Sequence, residues 1–507
     1  MTLMLRGDYF NGDFTSPKGI SEKLIESSDE NITKFCPADT SMKLWSAHVN
    51  YQNIDKVITS AEEGYKVWRK ISVNERIEYL KKFQQQVEKR KDEIARAIAL
   101  ETGKPLWESL TEASAISAKV NVTITDSFDR IKNKVIENVL PNITGHFVYK
   151  PLGVTLVIGP FNFPCHLANG QILAALLTGN SIIFKPSEKT IASSQMLIEC
   201  FHAAGFPKGV INFINGTAKT TQDILRHKSV KAIFFTGSYA IGKKILESVG
   251  TDVSKLVALE LGGKNTTIIC SDVDIKHAIP ELLRASYLST GQRCTSTSVV
   301  VVHRSVEQEF IAKFKEAAMR IIIDHPIEFD SLPFMGPLID EQALAKYNDS
   351  LALGEKNGAE ILLPNKPLDL KFKGHYISPS MHYLKKAEKE NPFTQEEIFG
   401  PNCTFIPFDT LDEAIEIANI SDYGLAASVF TQNLNTYQEC LMDIEAGIIN
   451  LNRSTVGASS RLPFGGVKNS GNFHPAAVSM IDHTAHLISS LETLDNSSKI
   501  EDVQGLR

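Results

Sequence analysis

The sequence predicts an α/β fold built on parallel β-sheets, and two observations support this. From about residue 145, the helical spacing of apolar residues gives way to short β-rich runs that alternate with helical runs. A second alternation of the same kind follows residue 300. Strands that alternate with helices are typical of a parallel sheet covered by helices on both faces. We therefore expect two parallel-sheet units along the chain.

Composition narrows the class of protein. The chain has 507 residues, of which 43% are hydrophobic and 22% charged, as in globular proteins with more than one domain. A net charge of −6 argues against nucleic acid or an acidic membrane as the main partner. Residues 1–15 lack a signal-peptide pattern and no apolar run reaches membrane-spanning length, so a cytoplasmic protein is expected. The seven cysteines are scattered without a C-x-x-C pair, which favours a reducing compartment and predicts neither a disulfide framework nor a metal site.

The elements follow from local spacing, taken in order. Residues 1–50 show little periodicity and are expected to wrap a neighbouring surface. Helices are predicted over 53–100 and 107–130, where apolar residues such as Val57, Ala61, Tyr65 and Trp68 recur at intervals of three and four. After the β-like run 146–149, the first sheet takes its strands and helices from these ranges: strands 154–158, 181–184, 210–214 and 232–235; helices 191–204, 219–227 and 240–249.

A strand-like run 256–259 and a helical run 274–289 follow the first sheet. Beyond residue 300 a second unit is predicted, with strands 299–302, 359–363, 404–408 and 427–431 and helices over 305–322, 340–357 and 411–419. A glycine-rich loop follows the run at 448–452, and loops of this kind commonly carry binding residues. The last β-like run is 485–491, and the polar tail 494–507 is expected to fray.

Two strand ends of the first sheet carry candidate cofactor residues. The strand 232–235 runs into Gly237 and Ser238, and a helix follows at once, so its free N–H groups can face a pyrophosphate. The glycines do not form the G-x-G-x-x-G pattern, and a plain strand–turn–helix explains them as well. Lys185 and Glu188 follow another strand of this sheet, at the edge where such sheets bind ligands; a solvated turn is the alternative.

Cys294 is the candidate nucleophile. It lies between a helical run that ends at Gly291 and the strand 299–302, at an expected exposed junction where Arg293 favours the reactive thiolate. A small residue filling a turn is the alternative. Glu260 precedes two glycines at a strand end and can face a cleft, although a surface acid before a turn explains it equally well. Sequence spacing does not show whether the two side chains meet.

Taken together, the motifs resemble the aldehyde dehydrogenase superfamily over roughly residues 30–490. The motifs are PFNFP at 160–164, KPSE at 185–188, FTGS at 235–238, ELGG at 260–263, GQRC at 291–294, EIFGP at 397–401 and PFGG at 463–466. Within the superfamily, the succinylglutamate semialdehyde dehydrogenases of arginine catabolism are similar at 101–108, 162–170, 455–460 and 470–472. Cys165 and Ala168 stand where a glycine and a proline are expected, and Arg461 where a small residue is expected.

The resemblance implies a fold and a mechanism. Cys294 would attack the aldehyde, the side-chain amide of Asn162 and the backbone N–H of Cys294 would hold the oxyanion, and Glu260 would be the general base. The implied cofactor is NAD, held at the adenosine ribose by Lys185 and Glu188, at the pyrophosphate by Gly237, Ser238 and Gly242, and at the nicotinamide end by Glu397 and Phe399. Glu188 favours NAD over NADP, because its carboxylate would repel a 2′-phosphate.

The implied reaction is oxidation of N-succinylglutamate 5-semialdehyde to N-succinylglutamate. Backbone N–H groups of Gly457 and Ala458, with Ser459, are expected to receive a substrate carboxylate, and Arg461 or Arg453 to add charge. His166 is interpreted as a satisfied core histidine. Glutamate or succinic semialdehyde is the alternative substrate. A CoA-acylating enzyme and a structural protein on a retired enzyme fold are further alternatives, against which Glu260 and the intact Cys294 argue.

The family's fold implies three regions. Residues 1–130 and 151–258 would form an NAD-binding domain of Rossmann type, and 259–445 a catalytic domain of the same type. Residues 131–150 and 446–507 would bridge the domains and build a small oligomerisation β-sheet. Because a strand at a sheet edge readily pairs with a neighbouring copy, a homodimer or homotetramer is expected.

Overall fold

The computed structural model describes residues 3–16, 18–19, 30–493 and 504–505. In this part of the chain, two large α/β units each contain a seven-stranded sheet, and a smaller antiparallel sheet lies apart from both. The predicted fold class is confirmed. Within the described ranges, none of the helices combines the length and apolar character needed to cross a bilayer.

The first sheet is mainly parallel and buried on both faces. Its strands, in spatial order, are Leu256–Glu260, Val230–Thr236, Val154–Ile158, Ser181–Lys185, Ile211–Phe213, Tyr9–Phe10 and Asp13–Phe14. Alternate residues of one strand enter two different cores: Leu156 and Ile158 pack on one face, and Val157 packs on the other. The surrounding helices are Asn53–Trp68, Val73–Thr102, Leu106–Val122, His166–Thr178, Ile191–Ala203, Ala218–Arg226 and Tyr239–Val249.

The second sheet repeats this design. Its strands, in spatial order, are Glu360–Leu363, Ser380–Tyr383, Asn402–Phe408, Thr297–His303, Asn265–Ile269, Ala426–Phe430 and Ile448–Leu451. The first of these is antiparallel to its neighbour, and the later pairs are parallel. Val299 and Val301 pack on one face, whereas Val300 and Val302 pack on the other. The helices of this unit are Ile275–Tyr287, Glu307–Ala318, Glu341–Lys356, Pro392–Gln395, Leu411–Asn419 and Leu434–Asp443.

The third sheet joins the two regions that were predicted to form it. Its antiparallel strands are Lys134–Leu140, Ile143–Pro151 and Ala485–Glu492, with the middle strand between the other two. Every residue of Lys134–Leu140 is exposed. Short strands pair Tyr423–Gly424 with Val467–Lys468 and Pro463–Phe464 with Ala476–Ala477. Single turns of other helix types occupy Thr123–Ser127, Phe128–Ile131, Leu288–Gly291 and Val478–His483.

The expectation of little regular structure before residue 50 is wrong for residues 30–49. The strands Glu30–Cys36 and Asp39–Val49 form an antiparallel hairpin. Leu44, Trp45 and Ala47 are buried, and Trp45 Nε1 donates to Glu101 Oε1 at 2.6 Å. The hairpin therefore owes its order to a distant helix, which local periodicity does not reveal. Of the tail 494–507, expected to fray, all but residues 504–505 lies outside the described residues.

Candidate active site

The candidate site begins at the carboxyl edge of the first sheet. Neighbouring parallel strands end together there, as shown by the Cα pairs Ile158 with Lys185, Phe235 with Ile158, and Thr236 with Glu260. Lys185 and Glu260 are the last residues of their strands, and Asn162 and Gly237 follow closely after theirs. The fold thus brings these four predicted residues to one edge.

A short connection joins this edge of the first sheet to the amino end of a strand in the second sheet. From Glu260 the chain passes through Gly262 and Gly263 and enters the second sheet at Asn265. Asn265 is paired with Thr297, so Cys294 lies just before the neighbouring strand. The loop that carries Glu397 and Phe399 leads into the strand Asn402–Phe408, which lies beside the strand Thr297–His303. The candidate residues therefore meet between the two sheets.

Asn265 fixes the segment that carries Cys294. Its Nδ2 donates to the carbonyl oxygens of Cys294 at 2.7 Å and Ser296 at 2.8 Å, and its Oδ1 accepts from Ala426 N at 3.0 Å. A Cβ at Gly263 would lie 2.6 Å from the Cys294 carbonyl oxygen, so only glycine fits there. The nucleophile segment is thereby tied to central strands of the second sheet.

The turn before Cys294 is held in an unusual backbone conformation. Ser289 and Thr290 have φ of 54° and 57°, values that side chains other than glycine rarely adopt. Buried Glu108 accepts hydrogen bonds from the N–H and hydroxyl of Ser289, and Thr290 Oγ1 donates to Gly336 O at 2.8 Å. Such residues persist where surrounding contacts compensate a cost of about 1–3 kcal/mol each.

The expectation that Arg293 favours a Cys294 thiolate holds in direction, because Arg293 lowers the pKa of Cys294, but burial outweighs this effect. Arg293 Nη2 donates to Glu108 Oε1 at 2.8 Å and its Nε to Ser289 Oγ at 2.9 Å, so its charge is neutralised within the turn. Burial, followed by the negative charges of Glu397 and Glu260, raises the pKa of Cys294 to about 12, and Arg293 only partly offsets this. The half-buried side chain is therefore a thiol at neutral pH and needs a base to become reactive.

Glu260 is the candidate base. Its Oε1 accepts from Ala476 N at 3.1 Å, while its buried Oε2 has no hydrogen-bond partner among the described residues. Burial raises the pKa of Glu260 well above its usual value. A buried carboxyl group with one free oxygen and a raised pKa is suited to proton transfer with a bound water or a neighbouring thiol.

The C-terminal segment supports the strand end that carries Glu260. Asn472 Oδ1 accepts from Leu259 N at 2.9 Å, and Ser470 O accepts from Leu261 N at 3.0 Å. Gly471 forms an antiparallel bridge with Glu260 itself. The position of the base therefore depends on residues more than two hundred positions away.

Asn162 lies beside the nucleophile segment. It is 7% exposed, its Nδ2 donates to Gln292 O at 3.0 Å, and its Oδ1 accepts from Phe163 N at 3.1 Å. These bonds fix the orientation of the amide, whose nitrogen carries a second hydrogen. Because Asn162 is bonded to Gln292, two residues before Cys294, its second N–H is suited to stabilising an oxyanion at that cysteine.

The residues predicted to hold the adenosine ribose and pyrophosphate of NAD, here called the cofactor cradle, follow strands of the first sheet. Ser238 caps the helix Tyr239–Val249 without a side-chain hydrogen bond to its first turn, so N–H groups there can receive a pyrophosphate. A Cβ at Gly242 would lie 2.6 Å from Leu261 Cδ2, so glycine permits close packing of this helix. Buried Lys185 donates to Pro186 O at 2.8 Å and lies 3.6 Å from half-exposed Glu188.

Glu397 and Phe399 complete the other end of the cradle. Glu397 Oε1 accepts from Gly263 N at 3.1 Å, and a Cβ at Gly262 would collide with this carboxylate. Burial raises the pKa of Glu397 to about 7. Phe399 has φ of 55°, and its ring centroid lies 5.9 Å from that of Phe161. Glu397 and Phe399, the residues predicted at the nicotinamide end, therefore lie in the same region as Cys294 and Glu260.

The predicted substrate loop is exposed and anchored at both ends. Gly457, Ala458 and Ser459 are exposed, and Thr455 Oγ1 lies 2.9 Å from Thr297 Oγ1 on the strand after Cys294. Arg461 Nε donates to Asp126 Oδ2 at 2.8 Å, so its charge is already paired.

One residue lies in an environment other than the predicted one, and two residues that position the site were not predicted. His166 is not a satisfied core histidine, because its buried Nδ1 has no partner among the described residues. Glu108 and Asn265, which position the nucleophile segment, were missed. Glu108 lies in the quoted stretch 101–108 and Asn265 follows the ELGG motif, but no local pattern distinguishes either from other polar residues.

Comparison with known proteins adds to this geometry. Residues 24–486 match the aldehyde dehydrogenase family. The chain belongs to the aldehyde dehydrogenase family. Similar family members include the N-succinylglutamate 5-semialdehyde dehydrogenase of Legionella pneumophila strain Corby, which is 37% identical over 99% of this chain and 98% of its own length. That of Novosphingobium aromaticivorans is 35% identical over 89% of this chain and 94% of its own length.

Solved structures of aldehyde dehydrogenases share the fold. Betaine aldehyde dehydrogenase from Staphylococcus aureus in complex with NAD+ has a TM-score of 0.90 at 26% identity, covering 98% of this chain and 97% of that one. The NAD-dependent aldehyde dehydrogenase from Sinorhizobium meliloti has a TM-score of 0.89 at 25% identity, covering 98% and 96%. Both likenesses span the two sheet units and the small sheet.

Proposed function

We propose that this aldehyde dehydrogenase oxidises N-succinylglutamate 5-semialdehyde to N-succinylglutamate with NAD, as a step of arginine catabolism. The observation that carries the chemistry is the meeting of Cys294, Glu260 and Asn162 between the two sheets. The named substrate of relatives at 33–37% identity supports the choice of aldehyde.

In this proposal, Glu260 takes the thiol proton of Cys294 directly or through water. The sulfur adds to the aldehyde carbon, and the Asn162 amide and the Cys294 backbone N–H hold the oxyanion. NAD, when bound, supplies the acceptor for the hydride that leaves the aldehyde carbon. Glu260 passes the first proton to solvent, and as a carboxylate again it accepts a proton from the water that releases the acid from Cys294.

The cofactor assignment rests on the cradle at the edge of the first sheet. Lys185 and Glu188 would hold the adenosine ribose, while Gly237, Ser238 and Gly242 would face the pyrophosphate. Glu397 would bind the nicotinamide ribose and Phe399 would pack near the nicotinamide. A solved structure with the same fold, betaine aldehyde dehydrogenase from Staphylococcus aureus, is a complex with NAD+, which supports NAD as the cofactor.

Gly457, Ala458 and Ser459 are proposed to receive the α-carboxylate of the substrate through backbone N–H groups and a hydroxyl. Arg461 would add positive charge at the rim, where Asp126 positions it. The exposure of this loop leaves its N–H groups accessible to a ligand.

An aldehyde panel assayed with NAD and NADP tests the function. N-succinylglutamate, glutamate, succinic and betaine aldehydes are compared by NADH or NADPH absorbance, with and without CoA. The succinylated aldehyde should have the highest kcat/KM with NAD, and CoA should change neither rate nor product. A higher kcat/KM for glutamate or succinic semialdehyde would contradict the substrate assignment, and an acyl-CoA product would contradict the role of Glu260.

We also propose the three-region division given above, a cytoplasmic location, and assembly into a homodimer or homotetramer through the small sheet. Its outer strand, Lys134–Leu140, exposes Val135, Ile136, Val139 and Leu140. An unpaired strand edge with exposed apolar side chains favours pairing with another copy.

A further inference from the structure

A half-buried strip leads away from Asn162 along one helix. Phe163, His166, Leu167 and Gly170 are partly buried, whereas most residues around them are fully buried. Spacings of three and four place these positions on one helical face. Leu167 N donates to Phe163 O, so helical spacing reaches back to Phe163. At 1.5 Å per residue, Gly170 lies about 10 Å beyond Phe163 along the axis.

A buried lysine lies at the far end of this strip. Lys119 comes from the neighbouring helix Leu106–Val122, and a Cβ at Gly170 would lie 3.3 Å from its Cε. Lys119 is 3% exposed, and its Nζ has no hydrogen-bond partner within the described ranges. Buried ammonium groups are nearly always paired, because an unpaired charge loses its hydration without compensation. Burial lowers the pKa of Lys119 to about 8, and an anion beside its Nζ would stabilise the charged form.

The nearby acid does not supply this anion. Glu112 is engaged by the Lys104 ammonium and accepts from the backbone N–H groups of Cys165 at 3.1 Å and His166 at 3.2 Å. His166 Nδ1 is also buried without a partner in the described structure. The charges that act on the His166 imidazole are those of Glu112, Lys119 and Lys104. Two unpartnered nitrogen groups thus lie on the same part of the strip.

We propose that Lys119 and His166 bind the distal, succinyl carboxylate of the substrate, in the space that Gly170 leaves open. This inference rests on the proposed function. Eight bonds join the aldehyde carbon to the distal carboxylate carbon, and an extended chain of that length spans about 10 Å. This matches the strip, whereas the α-carboxylate, four bonds from the aldehyde carbon, is too close to reach Lys119.

The distal subsite would set specificity rather than take part in the reaction. Arg461 is exposed and paired with Asp126, so it discriminates between substrates weakly. Lys119 is buried, and a charge-assisted hydrogen bond there is strong. Glutamate semialdehyde lacks the succinyl group and would leave the two nitrogen groups unpartnered.

The test compares Lys119→Met and His166→Gln with the wild type, and exposed Lys89→Met is the matched control. The substrates are N-succinylglutamate semialdehyde and its N-butanoyl analogue, which has the same length but ends in a methyl group. Lys119→Met should raise KM for the succinylated aldehyde about 30-fold and change kcat by less than about threefold. KM for the butanoyl analogue should not change, and His166→Gln should show a smaller effect of the same kind.

Two further measurements do not depend on turnover. Calorimetry with the product N-succinylglutamate should show about 30-fold weaker binding to Lys119→Met. The unliganded melting temperature of Lys119→Met should equal or exceed that of the wild type, because an unpaired buried charge is removed.

Equal product affinity for wild type and Lys119→Met, or a large fall in the melting temperature, would overturn the subsite. Absence of product binding to the wild type would also count against it. If the wild type binds N-succinylglutamate through Lys119 but does not oxidise the aldehyde, the proposed function fails while the subsite stands.

Discussion

The side-chain amide of Asn265 donates to the carbonyl oxygen of Cys294 at 2.7 Å, and so joins the nucleophile segment to the neighbouring strand. The same amide accepts from Ala426 N at 3.0 Å on the strand's other side. One side chain therefore aligns three segments at the amino ends of the second sheet. The placement of Cys294 depends on this side chain as well as on its own turn.

Replacing Asn265 should lower the rate without removing the nucleophile. We expect Asn265→Ala to reduce kcat about 10- to 100-fold, because a displacement of about 1 Å at a reacting atom can cost that much. Asn265→Asp keeps the acceptor for Ala426 but loses both donors, so its kcat should fall by a similar factor. Steady-state kinetics and stoichiometric labelling of Cys294 measure the two effects. A wild-type kcat in both variants would show that this amide does not position Cys294.

The pH dependence should report Glu260. Because burial raises its pKa well above the usual value, kcat/KM should decline on the acid side at a pH above the ordinary carboxyl range. Glu260→Gln should lose about 10²- to 10⁴-fold in kcat and the acid limb with it. Stopped-flow absorbance should then show slow formation of the first equivalent of NADH without a burst, because the Cys294 thiol has lost its base. Exposed Glu247→Gln is the control, and an unchanged profile in Glu260→Gln would assign the base elsewhere.

Removal of the Asn162 amide should cost about 10²- to 10³-fold in kcat/KM, the usual loss for one oxyanion donor. Asn162→Ala and Asn162→Asp should behave alike, because neither keeps the N–H group. Alkylation of Cys294 by iodoacetamide checks that the thiol remains accessible in both. A loss of less than about threefold would leave the oxyanion to other donors.

Arg461 should affect charged aldehydes selectively. Since it is exposed and already paired with Asp126, Arg461→Ala should raise KM for carboxylate-bearing aldehydes only about three- to tenfold. KM for short neutral aldehydes should stay the same, and Arg453→Ala provides a comparison in the same loop. Equal losses for both kinds of aldehyde would defeat the charge argument.

The exposed outer strand of the small sheet should control assembly. Val135→Asp together with Val139→Asp should shift the protein to smaller species, because charges oppose apolar strand pairing. Light scattering after size-exclusion chromatography measures the change. Val253→Asp, an exposed valine remote in sequence, should leave the mass unchanged. The same mass for all three proteins would place the interface elsewhere.

Much of the architecture was predictable because its elements have strong local signals. The strand–helix alternation of the first sheet and the helix after Ser238 follow the predicted ranges within a few residues. The pairing of 131–150 with the C-terminal strand has no local signal and was implied by the family resemblance. Buried parallel strands are continuous apolar runs bounded by turn residues, so one sequence segment contains the information needed.

The remaining features depend on partners that are distant in sequence. Arg293 lowers the pKa of Cys294 as expected, but burial outweighs this effect, and Glu108, 185 positions away, pairs with the Arg293 guanidinium. The hairpin 30–49 is ordered against Glu101 and its neighbours, and Lys119 gains its environment from Gly170 on another helix. Local spacing describes the helix that carries Lys119 correctly but does not show what its ammonium faces.

The bonds from Ser470, Gly471, Asn472 and Ala476 to the strand end at Glu260 have a consequence for synthesis of the protein. The ribosome synthesises every described strand of the two large sheets before it adds these residues. A nascent chain therefore contains Cys294 before Glu260 is held in place. It should become active only when residues 470–476 have packed against the strand end at Glu260. Proteolytic loss of that segment should silence the enzyme while leaving most of its cores intact.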